Sequence, residues 1–262
     1  MLPFLFFVNG TPLLPSEKYV DLELILSVDV SASMDKWEKH IQRQGYVDAI
    51  RSPEVIKAIE SGPLGRIAVM YLEWAGPGEQ FVVLSWTIIH DAESAENFAG
   101  GLAEAPALEG VKRTSITDML NIVDVFFDIS EYEGMRQVID VSGDGPNAYG
   151  GPVVEARDRL VGQGRIINGL PIMIRPTKLR NVAFKELDIY YEDCVIGGPG
   201  AFIVPVTKIE QFEPAIRRKL VLEIGQRGLP PSFAGMLPIV ERIMYPRVDC
   251  LLGENNRATV RQ

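Results

Sequence analysis

The chain has 262 residues, of which 47% are hydrophobic and 23% are charged, a balance typical of a globular protein with a sizeable core. Its formal net charge of −9 and its lack of Lys/Arg clusters argue against nucleic acid as a partner. Residues 1–20 hold a short apolar stretch without a basic flank, too short to span a bilayer, so we expect no transmembrane span and interpret them as an N-terminal arm or a signal-peptide remnant.

Strand-like and helix-like segments alternate along residues 21–225. The segments that predict strands are 22–28, 66–74, 79–88, 137–141, 165–174 and 201–206. The segments that predict helices are 37–51, 92–103, 115–128, 152–161, 178–194 and 209–224. Because AGPG at 75–78 makes a short turn between two strands, one edge of the sheet should be antiparallel. The alternation predicts an α/β fold with three layers and a doubly wound, mainly parallel sheet, followed by a tail over 226–262.

Oxygen-bearing side chains follow the predicted strands at one edge of this sheet. The first strand ends in DVSAS, which places Asp29, Ser31 and Ser33 at alternate positions. Thr114 in RTSIT precedes a predicted helix, and Asp144 in SGDGPN follows a predicted strand. Ligands of doubly wound sheets bind at the carboxyl ends of the strands, where we expect both acids to face solvent. Carboxylate and hydroxyl oxygens suit Mg²⁺, Mn²⁺ or Ca²⁺ better than zinc.

This set of residues resembles the metal-ion-dependent adhesion site of von Willebrand factor type A domains. The segments SGDGPN, YYEDCVIGGPGAF and AIRRKLVLEI are similar to an uncharacterised, DUF1194-like bacterial subfamily of these domains. The resemblance implies that Ser31, Ser33 and Thr114 offer hydroxyls to the metal, with Asp29 and Asp144 acting directly or through water. Thr117 is the second choice for the threonine.

The same resemblance implies a function and a location. A metal held mainly by hydroxyls keeps an open position, which in this family takes an Asp or Glu carboxylate of a protein partner. No bond would be broken, so we expect no enzyme activity. Export to the periplasm or secretion would suit the family, with a cytoplasmic location as the alternative.

Local structural roles offer an alternative for each site residue. Asp29 and Ser33 could cap the following helix, Thr114 could cap a later one, and Asp144 could serve only in a turn. Asp35 and Asp118, at predicted helix starts, are interpreted as structural acids that favour the helix dipole.

Two other function classes remain open. A phosphatase-like or other metal-dependent hydrolase would need a second acid where Ser31 stands, and the chain has no G-x-S-x-G motif. Its two histidines, His40 and His90, lack a cysteine at ligand spacing. The remaining class is a structural domain with a degenerate site.

The two cysteines, Cys194 and Cys250, are too few for a disulfide scaffold. We expect a reduced pair, with a single bridge in an oxidising compartment as the alternative.

Overall fold

The structure, a computed structural model, describes residues 18–108, 113–175, 177–179, 182–225 and 247–255. Most of the predicted N-terminal arm, and residues 226–246 and 256–262 of the predicted tail, lie outside the described residues. The strands are β1 (Tyr19–Val20), β2 (Leu22–Asp29), β3 (Ile67–Trp74), β4 (Gln80–Ile89), β5 (Glu133–Gly134), β6 (Gln137–Gly143), β7 (Ile166–Pro171), β8 (Thr177–Leu179) and β9 (Val182–Phe184). The helices are α1 (Lys36–Arg51), α2 (Pro53–Glu60), α3 (Ala92–Glu104), α4 (Ile116–Asp128), α5 (Val153–Gly162), α6 (Leu187–Tyr190) and α7 (Phe212–Gly225), with a π-helical turn at Tyr191–Val195 and a 3₁₀ turn at Ile209–Gln211.

Five strands form the central sheet in the order β4-β3-β2-β6-β7. The pairs β3-β2, β2-β6 and β6-β7 are parallel, whereas β4 pairs antiparallel with β3. All eight residues of β2 are buried, because this central strand is covered on both faces. The sheet therefore confirms the predicted α/β class, including its antiparallel edge strand.

Helices cover both faces of the sheet and separate two hydrophobic cores. One core lies between the sheet and α1, α2, α3 and α7, and includes Tyr46, Tyr71 and Phe98. The other lies under α4, α5 and the π-helical turn, and includes Trp74, Met119 and Tyr191. This three-layer arrangement points the carboxyl ends of four parallel strands towards one edge, where the candidate site lies.

Two predicted elements differ from the structure, and one helix was not predicted. Residues 177–179 and 182–184 are not helical, because β8 and β9 pair as antiparallel strands and helical backbone starts only at Leu187. The predicted strand 201–206 lies beside β7 but makes only isolated parallel bridges, and Pro205 has no N–H to donate to a ladder. Sequence reasoning also missed α2, although Ser52 caps its N-terminus and Pro53 occupies its first turn.

The expectation of reduced cysteines is wrong. Cys194, in the π-helical turn, forms a disulfide with Cys250, and their Cα atoms are 5.5 Å apart. Asn147 also donates from Nδ2 to Glu254 Oε1 at 2.6 Å, which joins the C-terminal segment to the loop after β6. Residues 56 apart in sequence are thus brought together by the path of the chain, which no local pattern reports.

Candidate metal centre

The first loop of the site begins where β2 ends. Asp29 is the last residue of β2, and its Oδ1 accepts a hydrogen bond from the Ser31 N–H at 2.7 Å. A carboxylate that accepts from the backbone two residues later forms a local turn that fixes the chain direction. Ser31 is buried, whereas Ser33 is exposed.

A row of hydrogen bonds joins this loop to the loop after β6. Ser31 Oγ and Ser33 Oγ are 2.9 Å apart, and Ser33 Oγ donates to Asp144 Oδ1 at 2.7 Å. Four of the five predicted site residues therefore lie together, across 111 positions of sequence between Ser33 and Asp144. Their oxygens are carboxylates and hydroxyls, the donor types that hard divalent cations prefer.

Thr114 lies at the same edge but is joined to the others only indirectly. Its carbonyl accepts from the Ala148 N–H at 3.2 Å, and within the described chain no hydrogen bond links its side chain to the other four residues. The second choice, Thr117, is buried and donates from its hydroxyl to the Gly151 carbonyl at 2.8 Å. Of the two hydroxyls, that of Thr117 is already used in holding the loop, which favours Thr114 as the donor to a metal.

The capping alternatives do not describe these residues. Asp35, not Asp29 or Ser33, caps α1 by accepting from the backbone N–H groups of Trp37 and Glu38. Ser115, not Thr114, caps α4. Asp29, Ser33 and Thr114 thus do not have the capping roles that their sequence positions suggested, whereas Asp144 does lie in a bend after β6.

Asp29 is not solvent-facing, contrary to the sequence-based expectation. It has no exposed surface, and its Oδ2 makes no hydrogen bond with any part of the chain that the structure describes. The other acid, Asp144, is half-buried. Asp29 is buried because it is the last residue of a strand that lies between two others, rather than a member of an open loop.

The electrostatics of the site are those of two acids held close together. Burial and the negative charge of Asp144 raise the pKa of Asp29 to about 8. Burial also raises the pKa of Asp144, and the Glu38 carboxylate adds to that rise, whereas the hydrogen bond from Ser33 opposes it. A cation held beside these two acids would offset their mutual repulsion. It would also give the unpaired, buried Asp29 Oδ2 a partner. The residues present therefore fit a divalent metal.

The raised pKa of Asp29 predicts how the stability of the metal-free protein depends on pH. The carboxyl binds a proton more tightly in the folded than in the unfolded chain, so the free energy of unfolding should fall as pH rises from about 4 to about 8, by up to ~1.4 kcal/mol per pH unit for this one group. Glu223, whose pKa is raised to about 7, acts in the same direction. Urea unfolding in EDTA at pH 6, 7 and 8 measures the slope. The Asp29→Asn variant should show a shallower slope, and parallel slopes for the two proteins would contradict the assignment.

Three further groups around the site were missed by sequence reasoning. Arg175, after β7, pairs with Asp35 Oδ2 at 2.6 Å and with Glu38 Oε1 at 3.2 Å. The positive charge of Lys39 lowers the pKa of both Asp29 and Asp144, though as a lesser cause than burial. Tyr191 is fully buried, and burial together with the charge of Asp29 raises its pKa well above the ordinary value. Because these groups come from α1 and from the segments after β7, no sequence motif groups them with DVSAS.

The types of donor present distinguish this site from other kinds of metal site. The described residues contain no group of three or more His, Cys, Asp or Glu side chains placed to hold a metal, so the candidate site depends on hydroxyl donors.

None of the described helices is both long and apolar enough to cross a membrane.

Comparison with known proteins gives one family and a set of similar structures. The family described as "Protein of unknown function (DUF1194)" matches residues 19–228. Among curated proteins, no sequence matches the chain.

Solved structures of similar fold include a von Willebrand factor type A protein from Catenulispora acidiphila, with 14% identity, a TM-score of 0.52 and coverage of 79% of this chain and 43% of that one. Proximal thread matrix protein 1 from the mussel byssus, described with a zinc-occupied MIDAS motif, has 15% identity and a TM-score of 0.54 over 78% of this chain and 48% of that one. The pilus adhesin SpaC from Lactobacillus rhamnosus GG has 11% identity and a TM-score of 0.56 over 78% and 31%. At these identities the likeness shows the fold alone, and this chain spans less than half of each of these proteins.

Proposed function

We propose that this chain, which belongs to the DUF1194 family and has the fold of von Willebrand factor type A domains, binds a divalent cation at the edge formed by β2 and β6 and uses it to bind an acidic residue of a partner protein. The observation that carries the proposal is the hydrogen bond from Ser33 to Asp144, since it brings the hydroxyls of one loop to the carboxylate of another. Ser31, Ser33, Thr114, Asp29 and Asp144 are the proposed donors.

The donor types favour Mg²⁺, with Mn²⁺ and Ca²⁺ as close alternatives. Hydroxyl and carboxylate oxygens are hard ligands, and no thiolate is available because both cysteines of the chain are in the disulfide. The mussel protein is described with zinc in its MIDAS motif, so Zn²⁺ belongs among the metals to be compared.

The charge balance favours a carboxylate as the partner's group. Only Asp29 and Asp144 bring formal negative charge among the proposed donors, so a bound divalent cation keeps attraction for an incoming anion. Lys39 and Arg175 add positive charge beside the site in a chain whose net charge is −9. The long-range field of the chain opposes an acidic partner, so we expect modest affinity and slow association.

Binding without catalysis is the activity that we propose. A hydrolase would need a base or a nucleophile beside the metal, and both histidines are exposed, with His90 paired to Asp91 at 3.3 Å. The disulfide between Cys194 and Cys250 supports a periplasmic or secreted location, because such bonds persist in oxidising compartments.

Metal-dependent capture tests this function. The immobilised chain should retain its partner from an extract of the producing organism in 5 mM Mg²⁺, at about the millimolar level that weak oxygen sites need, and release it in EDTA. The Ser33→Ala chain should retain none in either buffer. A partner held equally well in EDTA, or by Ser33→Ala, would show that another surface is used.

A further inference from the structure

Two buried oxygens without partners border the same small space behind the candidate site. Asp29 Oδ2 and Tyr191 Oη each make no hydrogen bond with any described residue. A Cβ atom built on Gly143 would lie 3.0 Å from Asp29 Oδ2 and 2.8 Å from Tyr191 Oη. No side chain of residue 143 therefore separates the carboxylate of Asp29 from the hydroxyl of Tyr191.

Tyr191 packs closely against glycines in two neighbouring strands. A Cβ on Gly169 of β7 would lie 2.7 Å from Tyr191 Cδ1, as close an approach as that of Gly143 of β6 to the hydroxyl. Any larger residue at either position would push the ring away. The ring thus lies across two strands with its hydroxyl directed at the end of a third, β2, which carries Asp29.

The backbone that carries Tyr191 is irregular and is fastened at one point. Tyr191 opens the π-helical turn, and Cys194 in the same turn is bound to Cys250. Turns of this kind are rare and are often found at functional sites. The disulfide fixes the turn to the C-terminal segment, which limits how far the hydroxyl of Tyr191 can move.

From this geometry we propose that Tyr191 is a positioning residue of the metal site, whose hydroxyl holds Asp29 Oδ2 through one water lodged beside Gly143. The water gives both unpaired oxygens a hydrogen-bond partner, since it accepts from the tyrosine O–H and donates to the carboxylate. Asp29 Oδ1 is already held by the Ser31 N–H, so the water fixes the second oxygen and with it the rotation of the carboxylate. The proposal rests on the metal-binding function proposed above.

The Tyr191→Phe variant tests the role. Removing a hydrogen bond to a group that supports a metal ligand lowers metal affinity by about 10–100-fold, so calorimetry with Mn²⁺ should give a dissociation constant at least about tenfold higher than that of the wild type. The urea midpoint of the metal-free variant should not fall, because the lost hydroxyl has no direct protein partner among the described residues. A tyrosine that serves only packing would leave both the Mn²⁺ affinity and the urea midpoint unchanged, because phenylalanine keeps the ring.

Tyr71→Phe is the matched control. Tyr71 is also fully buried with a hydroxyl that makes no hydrogen bond in the described chain, but it lies in the core on the other face of the sheet. Its replacement should leave the Mn²⁺ affinity unchanged. Equal affinities of the wild type and Tyr191→Phe would overturn the role of Tyr191, whereas a wild-type chain that binds no Mn²⁺ or Mg²⁺ would overturn the metal-binding function itself.

A crystal structure of the metal-free wild type gives a test that needs neither a variant nor a metal. A water should lie within about 3.2 Å of both Tyr191 Oη and Asp29 Oδ2. An empty space there, or a side chain in it, would overturn the proposal even if Tyr191→Phe failed to fold.

Discussion

Lys219→Met is expected to lower the free energy of unfolding by about 3–5 kcal/mol at pH 8, because the lysine is the cation of a buried group of charges. Its Nζ lies 2.7 Å from Asp140 Oδ1 and also contacts Glu223 Oε1, and each of the three residues is at most 1% exposed. Without the lysine, two carboxylates would remain in the core between β6 and α7.

The loss should be smaller at pH 5. Burial raises the pKa of Glu223 to about 7 and raises that of Asp140, while Lys219 lowers both. In the variant both pKa values rise further, so at pH 5 the two carboxyls are protonated to a larger extent than at pH 8 and repel less. Urea unfolding at the two pH values measures the difference. Arg218→Met, an exposed change one position away on α7, is the control and should stay within about 0.5 kcal/mol. If Lys219→Met were as stable as the wild type at pH 8, the buried group of Lys219, Asp140 and Glu223 would not be ionised.

Mg²⁺ at about 100 times its dissociation constant is expected to raise the free energy of unfolding of the wild type by about 2.7 kcal/mol, and this gain should fall to about 0.4 kcal/mol or less in Ser33→Ala and Asp144→Asn. Ser33→Ala removes a proposed hydroxyl donor, and Asp144→Asn removes a negative charge that would face the cation at the proposed site. We expect either change to weaken binding by about 100-fold or more, beyond what supporting residues cost. Thermal melts and calorimetry with Mg²⁺, Mn²⁺ and Ca²⁺ measure the effect.

Asp144→Asn is a sharper probe than a change at Asp29. Alanine at position 29 would leave a cavity and free the Ser31 N–H, so its effects on folding and on metal would mix. In Asp144→Asn the metal-free protein should be as stable as the wild type or more so, since the negative charge that adds to burial in raising the pKa of Asp29 is gone. Asp118→Asn is the control, because Asp118 lies at the same edge but accepts from Ser115 Oγ at 2.8 Å. Unchanged Mn²⁺ affinity in both site variants would refute the assignment of the site.

The sequence by itself determined the fold class, and it predicted five residues for the candidate site, four of which the structure brings together. Buried strands appear in the sequence as runs of apolar residues, and helices appear as apolar residues at helical spacing. Each spacing reflects which side chains of that segment are buried in the fold. DVSAS and SGDGPN follow two such strands, β2 and β6, and parallel strands end at one edge, so the order of strands and loops along the chain is enough to predict their convergence. The function assigned to that convergence stays a proposal.

Only the tertiary structure decided which distant groups meet. The disulfide from Cys194, the burial of Asp29, the approach of Tyr191 to Gly143 and the pairing of Lys219 with Asp140 each join segments far apart in sequence. Such contacts depend on strand order and on the path of the connections, and neither leaves a periodic trace in the chain. The pairing of β8 with β9 was missed for a different reason: these two short strands, close in sequence, satisfy each other's backbone groups rather than following a local helical preference.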